Sequence, residues 1–318
     1  MKFIDLFAGI GGVKIGFENA SFQCVFSNDF DPKVKKTFDL NFADPFDFEK
    51  QMILGDIQKI STCEIPNHDI LCGGFPCQPF SVAGYRQGFD DERGRGNLFF
   101  DIIRILKDKK PKAFFLENVK NLKTHASGNT IKIIYEELKN LGYKTTDKIL
   151  NSMEYGNLPQ NRERIYLVGF KDQKHFDSFE FPKKIALTKT IHDCLEKNEV
   201  DDKYYYNNTP LNEKLKNHIT NRNSIYQWRR KYVRENKSEV CPTLTANMGT
   251  GGHNVPLILS EKGIRKLTPR ECANFQGFPE SYKLPDIAGS HLYKQFGNSV
   301  SIPVIERIAK NIKLALKK

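Results

Sequence analysis

The chain has 318 residues, 39% of them apolar, enough to bury a substantial core in one large domain plus a smaller one. Its net charge of +11 favours a polyanionic partner without proving one, and its seven scattered cysteines, with no CxxC pair, argue against a disulfide framework or a structural zinc site. No charged-then-apolar leader opens it and no apolar run approaches the roughly 18 residues of a bilayer span, so a cytoplasmic protein without membrane or metal partners is expected.

Lys2-Phe3-Ile4-Asp5-Leu6-Phe7 predicts a first strand, and Gly9-Ile10-Gly11-Gly12 a turn into a helix through Glu18. Residues 23–27 predict a second strand closed by Asn28-Asp29-Phe30-Asp31, and residues 52–54 a third, ending at Gly55-Asp56-Ile57. Apolar runs at residues 70–72 and 113–116 read as parallel strands. The first leads into Gly73-Gly74-Phe75-Pro76-Cys77-Gln78-Pro79-Phe80-Ser81, the second into Glu117-Asn118. A later strand, residues 164–169, follows Gln160-Asn161-Arg162-Glu163. This alternation with amphipathic stretches is the pattern of a βαβ sheet.

After Pro182 the chain turns polar to about residue 263. Residues 222–237 hold six basic side chains and one acidic, interleaved with Tyr226, Trp228 and Tyr232, and residues 248–254 are glycine-rich and irregular. Residues 301–318 predict a closing helix, with Pro303 in its first turn and Ile305, Ile308, Ile312 and Leu316 on one face. That face needs a surface, so the chain is expected to leave the large domain and return.

The glycine turn alone is a weak dinucleotide signal, because the third glycine of G-x-G-x-x-G falls at Lys14. Asp29, 20 residues past Gly9 at a strand end, strengthens it, since a carboxylate there can accept from both ribose hydroxyls of an adenosine. Phe30 could stack on the adenine and Asp56 accept from its amino group. NAD and S-adenosylmethionine both carry adenosine, and a tight turn with solvated acids is the plainer alternative.

Cys77 lacks the setting of a zinc deaminase: Phe80 stands where the second cysteine belongs, and no histidine has a glutamate two residues on. With Glu117 it suits another reaction. A thiolate adds to an electron-poor ring carbon while a carboxylic acid hydrogen-bonds the ring nitrogen that gains electron density. A structural cysteine and a salt-bridged glutamate is the competing reading. Arg162 and Arg164 flank Glu163, to clamp an anion, to hydrogen-bond a base or simply to pair with acids nearby. The 222–237 stretch offers phosphate contacts or a solvated face.

Together these pieces resemble the C5-cytosine DNA methyltransferases, in family order along nearly the whole chain. Residues 3–12, 27–31, 73–81, 117–119 and 160–169 carry the likeness. So do Arg265-Lys266-Leu267-Thr268-Pro269-Arg270-Glu271-Cys272 and Gln295-Phe296-Gly297-Asn298-Ser299-Val300. Only about 185–262 lacks common motifs, as befits the part that sets target sequence.

The resemblance implies an α/β fold: a Rossmann-like, S-adenosylmethionine-dependent methyltransferase domain (1–185), a smaller irregular target-recognition domain (186–294) and a return segment (295–318). It implies S-adenosylmethionine as cofactor, with S-adenosylhomocysteine as product. The cofactor would be held by Phe7, Gly9, Gly11, Gly12, Asp29, Phe30, Asp56, Ile57, Pro79, Asn298, Ser299 and Val300. It gives Cys77 the attack on cytosine C6, Glu117 the contact to N3, and Arg164 with Arg162 the orientation of O2 and the catalytic loop. Double-stranded DNA with a flipped cytosine is the implied partner. Contacts fall at Arg229, Arg230, Lys231, Arg234, Thr245 and Asn247, and Gly84, Gly88, Gly94 and Gly96 lie in a closing lid. A monomer that protects DNA in a restriction-modification system is expected. The rivals are a tRNA cytosine-5 methyltransferase and a non-catalytic DNA-binding regulator; the presence together of Cys77, Glu117, Arg162 and Arg164 argues against the second.

Overall fold

Strand β1 (Lys2–Leu6) is buried at four of its five residues and lies near the middle of a seven-stranded sheet. The computed structural model describes residues 1–44, 47, 51–75, 98–249 and 255–318. Cys77, Pro79 and the expected lid lie outside the described residues, as does most of the 248–254 loop. The chain divides into two units. The first comprises Met1–Leu150, Glu163–Pro182 and Ile305–Lys318; the second comprises Asn151–Arg162 and Lys183–Val304.

In the first unit, β2 (Gln23–Asp29), β3 (Met52–Leu54), β4 (Ile70–Gly74), β5 (Ala113–Val119), β6 (Lys144–Asn151) and β8 (Glu163–Phe170) join β1 in the order β3-β2-β1-β4-β5-β8-β6. Strands β1 to β5 pair in parallel, and β4 and β5 read as nearly continuous apolar runs because both their faces are buried. The order reverses between β1 and β4, which makes the C-terminal ends of these strands the place for a ligand.

Helices α1 (Gly12–Asn19), α2 (Pro32–Phe42), α3 (Leu98–Lys109) and α4 (Asn129–Asn140) provide the crossovers. Helix α3 shows the logic: Phe99, Ile102, Ile105 and Leu106 recur at helical spacing and all are buried against the sheet.

The sheet departs from the simple βαβ expectation at β8, which runs antiparallel to β5. Between β6 and β8 the one helical segment is the four-residue turn Ser152–Tyr155, not the covering helix a parallel crossover needs. Strand β2 also outruns its expected end: its ladder with β3 continues through Asp29↔Leu54. The closing helix is α7 (Ile302–Ala315), and Ile305, Ile308 and Ile312 are fully buried. Gly16 of α1 admits it closely, since a Cβ there would sit 2.7 Å from the Ile305 Cβ.

The second unit contains a four-stranded sheet, β10-β9-β12-β13, built from β9 (Ile225–Trp228), β10 (Val233–Asn236), β12 (Leu257–Ser260) and β13 (Gly263–Lys266). A small core of Leu215, Ile219, Tyr226, Leu257 and Ile264 supports it. A two-residue strand, β7 (Gln160–Asn161), pairs in parallel with β11 (Cys241–Pro242). Helices α5 (Pro269–Gln276) and α6 (Gly289–Asn298) complete the unit, α5 opening on a capping box between Thr268 and Glu271. Among the described residues no helix is long and apolar enough to cross a membrane, and no group of three metal-ligating side chains forms.

Candidate active site

The turn after β1 departs from ordinary backbone geometry: Phe7, Gly9 and Gly11 all have positive φ, at 56°, 55° and 82°. At Gly11 two requirements coincide, because a Cβ there would lie 2.4 Å from a ring carbon of Phe42. Phe42 packs with Phe38, Met52 and Ala8 behind the turn, and the Lys14 ammonium lies 5.4 Å from its ring centre. Lys14, in the third-glycine position, is buried and bridged to Glu18. The support this turn takes from Phe42 of α2 left no mark in the local glycine pattern.

Asp29 ends β2 and closes onto this turn. Its carboxylate accepts from the Gly9 amide and the Asp31 amide, each at 3.0 Å. Burial pushes its pKa above the ordinary carboxylate value, and those two amides draw it back. Phe30 beside it is 72% exposed, an aromatic face left in solvent. Asn28, which the sequence reading did not single out, donates to the carbonyls of Ile53 and Gly55 at 3.0 and 2.9 Å and so ties β2 to the Asp56 segment. Asp56 caps the short helical turn that buries Ile57. Thus Phe7, Gly9, Gly11, Gly12, Asp29, Phe30, Asp56 and Ile57 gather at the strand ends of the first unit.

Glu117 lies in β5, in register with Gly74 of β4, three residues before Cys77. It is buried and forms an ion pair with the Arg164 Nε at 3.2 Å. Register explains the pair: antiparallel pairing sets Val119 opposite Arg164 and Glu117 opposite Tyr166, so an arginine two residues along β8 reaches back to the carboxylate. Glu163 is engaged elsewhere, bonding Lys120. Asn118, which was not singled out as a site residue, donates its amide to the Phe75 carbonyl at 2.8 Å and so fixes the backbone two residues before Cys77.

Arg162, only two residues before Arg164, belongs to the second unit. It is 2% exposed, and its guanidinium donates to the carbonyls of Leu244, Gly297 and Ser299. Asn298, Ser299 and Val300 lie in that unit too, where α6 ends. The expected DNA contacts Arg229, Arg230 and Lys231 form the tip between β9 and β10, with Arg230 at φ 65° and Tyr232 60% exposed; Arg234 follows in β10. Tyr226 is instead a core residue at 1% exposure. Thr245 and Asn247 follow β11. The buried pair Arg265–Glu271, with contacts of 2.7 and 2.6 Å, holds the start of α5 to β13.

The family model described as C-5 cytosine-specific DNA methylase matches residues 1–314. Among curated proteins, Type II methyltransferase M.Bsp6I of Bacillus sp. (strain RFL6) is 52% identical over 98% of both chains. Type II methyltransferase M.HhaI of Haemophilus parahaemolyticus is 38% identical over 98% of this chain and 94% of its own. The crystal structure of the S. pombe Dnmt2 methyltransferase superposes with a TM-score of 0.71 at 20% identity, covering 99% of this chain and 97% of that one, a likeness of fold.

Proposed function

The chain belongs to the C-5 cytosine-specific DNA methylase family, and from that premise we propose that it methylates C5 of a cytosine flipped out of a short duplex site, by way of a covalent bond from Cys77 to C6. Near-full-length relatives are named Type II methyltransferases, which supports a protective role beside a restriction enzyme.

The observation that carries the reading is the placement of Glu117. It is a buried carboxyl group two residues from the end of β5, beside the strand that leads toward Cys77 and anchored by Arg164. The Cys77 thiolate adds to C6, while Glu117 hydrogen-bonds or protonates N3, so electron density moves to C5. Arg164 holds Glu117 and orients the base through O2. Once C5 has taken a methyl group, loss of the C5 proton to a base and expulsion of Cys77 as its thiolate restore the ring. The cytosine must leave the stack first, at a cost of a few kcal/mol that phosphate contacts from Arg229, Arg230, Lys231 and Arg234, with Thr245 and Asn247, help offset.

S-adenosylmethionine, implied by the family, supplies the methyl group when bound. The residues present fit it. Asp29 is held at the strand end by the Gly9 and Asp31 amides with both oxygens fixed in direction, and Phe30 presents an open aromatic face. By the family resemblance, Asp56, Ile57, Pro79 and residues 298–300 would join that set.

The test uses purified protein, mixed-sequence duplex DNA and tritium-labelled S-adenosylmethionine, followed by bisulfite sequencing. Methyl groups in one short context are expected, with Cys77→Ser losing turnover while still binding DNA. Transfer to tRNA and not to duplex DNA would overturn the substrate assignment, and a fully active Cys77→Ser variant the covalent mechanism.

A further inference from the structure

Two residues before the arginine that pairs with Glu117, a second arginine is occupied entirely differently. The guanidinium of Arg162 donates to the Leu244 carbonyl at 2.8 Å, to the Gly297 carbonyl at 3.2 Å and to the Ser299 carbonyl. Its own backbone is fixed as well, by the Asn151 side chain at 3.1 Å and by the Ser152 amide at 3.0 Å. The first carbonyl immediately precedes Thr245; the other two bracket Asn298. A planar fork of donors couples these strands of backbone more tightly than separate bonds would, because its donors keep fixed angles to one another.

A second contact joins the same two segments independently. Gly297 has no side chain to spare, since a Cβ there would lie 2.2 Å from both the carbonyl carbon and the carbonyl oxygen of Thr245. Thr243 adds a hydroxyl bond to the Asn161 carbonyl at 2.7 Å, one residue before Arg162. Gln160 accepts from the Leu244 amide at 3.3 Å and donates to the Phe275 carbonyl at 2.8 Å. All these residues belong to the second unit.

We infer that Arg162 is a positioning residue that couples the DNA-contacting segment around residues 245–247 to the cofactor element at residues 298–300, so that filling one site tightens the other. This rests on the proposed assignment of those two segments. A shift of the Gly297 or Ser299 carbonyl when the cofactor side is filled must move the guanidinium or break a charge-assisted bond deprived of water, and the Leu244 carbonyl shares that guanidinium. By linkage the effect is reciprocal: DNA tightens cofactor binding by the same factor.

The experiment titrates a fluorescent duplex carrying the modified site with the full chain, with and without S-adenosylhomocysteine, for the wild type, Arg162→Lys and Thr243→Val. A wild-type tightening of roughly tenfold, within the usual range of such couplings, is expected. In Arg162→Lys the tightening should fall below about twofold, a larger loss than the variant shows in its affinity for S-adenosylhomocysteine alone or for DNA alone. Thr243→Val, which leaves the guanidinium in place and serves should Arg162→Lys fail to fold, should lose part of the tightening. Unchanged tightening in the folded variants, or a wild type that binds both ligands without tightening, overturns the inference. A wild type that binds neither ligand overturns the functional reading beneath it.

Discussion

Gly11 offers the sharpest quantitative test of how the glycine turn after β1 is built. In Gly11→Ala the new methyl meets two separate costs. A left-handed φ of 82° with a Cβ costs roughly 1–2 kcal/mol. The methyl also arrives 2.4, 2.8 and 3.3 Å from three ring carbons of Phe42, an overpacking worth about 1–3 kcal/mol because that ring is packed against Phe38 with centroids 4.7 Å apart. The total is roughly 2–5 kcal/mol of stability.

The second cost disappears if the ring is removed. In a double-mutant cycle with Phe42→Ala, adding Gly11→Ala should therefore cost only the left-handed term, giving a coupling of about 1–3 kcal/mol. Denaturant unfolding of the four proteins measures stability, and calorimetric titration with S-adenosylhomocysteine reports whether the turn still binds. Affinity should fall in Gly11→Ala and recover in part in the double variant. Effects that add within about 0.5 kcal/mol would refute the claim that Phe42 sets the space behind the turn.

Glu117→Gln should lose most of its turnover while keeping cofactor affinity, because the change spares every strand-end contact at Asp29; retained turnover in a labelled-methyl assay would remove the acid role. Glu271→Gln should destabilise by about 3–5 kcal/mol, since it strands a guanidinium whose side chain is 4% exposed, whereas a double change to apolar residues at 265 and 271 should cost less than the two single changes summed. Asp5 is 1% exposed, and burial pushes its carboxyl up to about 8 from an ordinary 3.8. The folded chain then holds a proton that the unfolded chain releases, so this group's stabilising contribution is complete below pH 3.8 and is lost as pH rises to about 8. Unfolding curves across that range should slope downward by up to about 1.4 kcal/mol per pH unit from this group alone, and Asp5→Asn should flatten them; an unchanged slope would mean that Asp5 is already ionised.

Much of the site was legible because its chemistry is written in short, contiguous strings. The glycine turn needs positive φ at fixed positions, and the acid proposed to take a ribose belongs at the end of the next strand. The carboxyl group proposed to work with Cys77 belongs near the end of the strand beside it. These are local demands, and the structure puts Gly9 and Gly11 at positive φ in the turn after β1, Asp29 at the end of β2 and Glu117 within β5, the positions the sequence pointed to. The closing helix was legible for a similar reason, since Ile305, Ile308 and Ile312 share one face and all three are buried.

The sequence by itself thus determined the motifs, their order along the chain and the reaction they suit. Tertiary structure alone decided what each side chain touches. Arg162 and Arg164 read as one basic pair, yet the break between β7 and β8 parts them. One reaches Glu117, 47 positions away, and the other carbonyls 82 and 135 positions away. The antiparallel turn of β8, the ring of Phe42 behind Gly11 and the bare backbone of Gly297 against Thr245 belong to the same kind. Each is a meeting of segments remote in sequence, settled by how surfaces fill space together, and local periodicity carries no record of it.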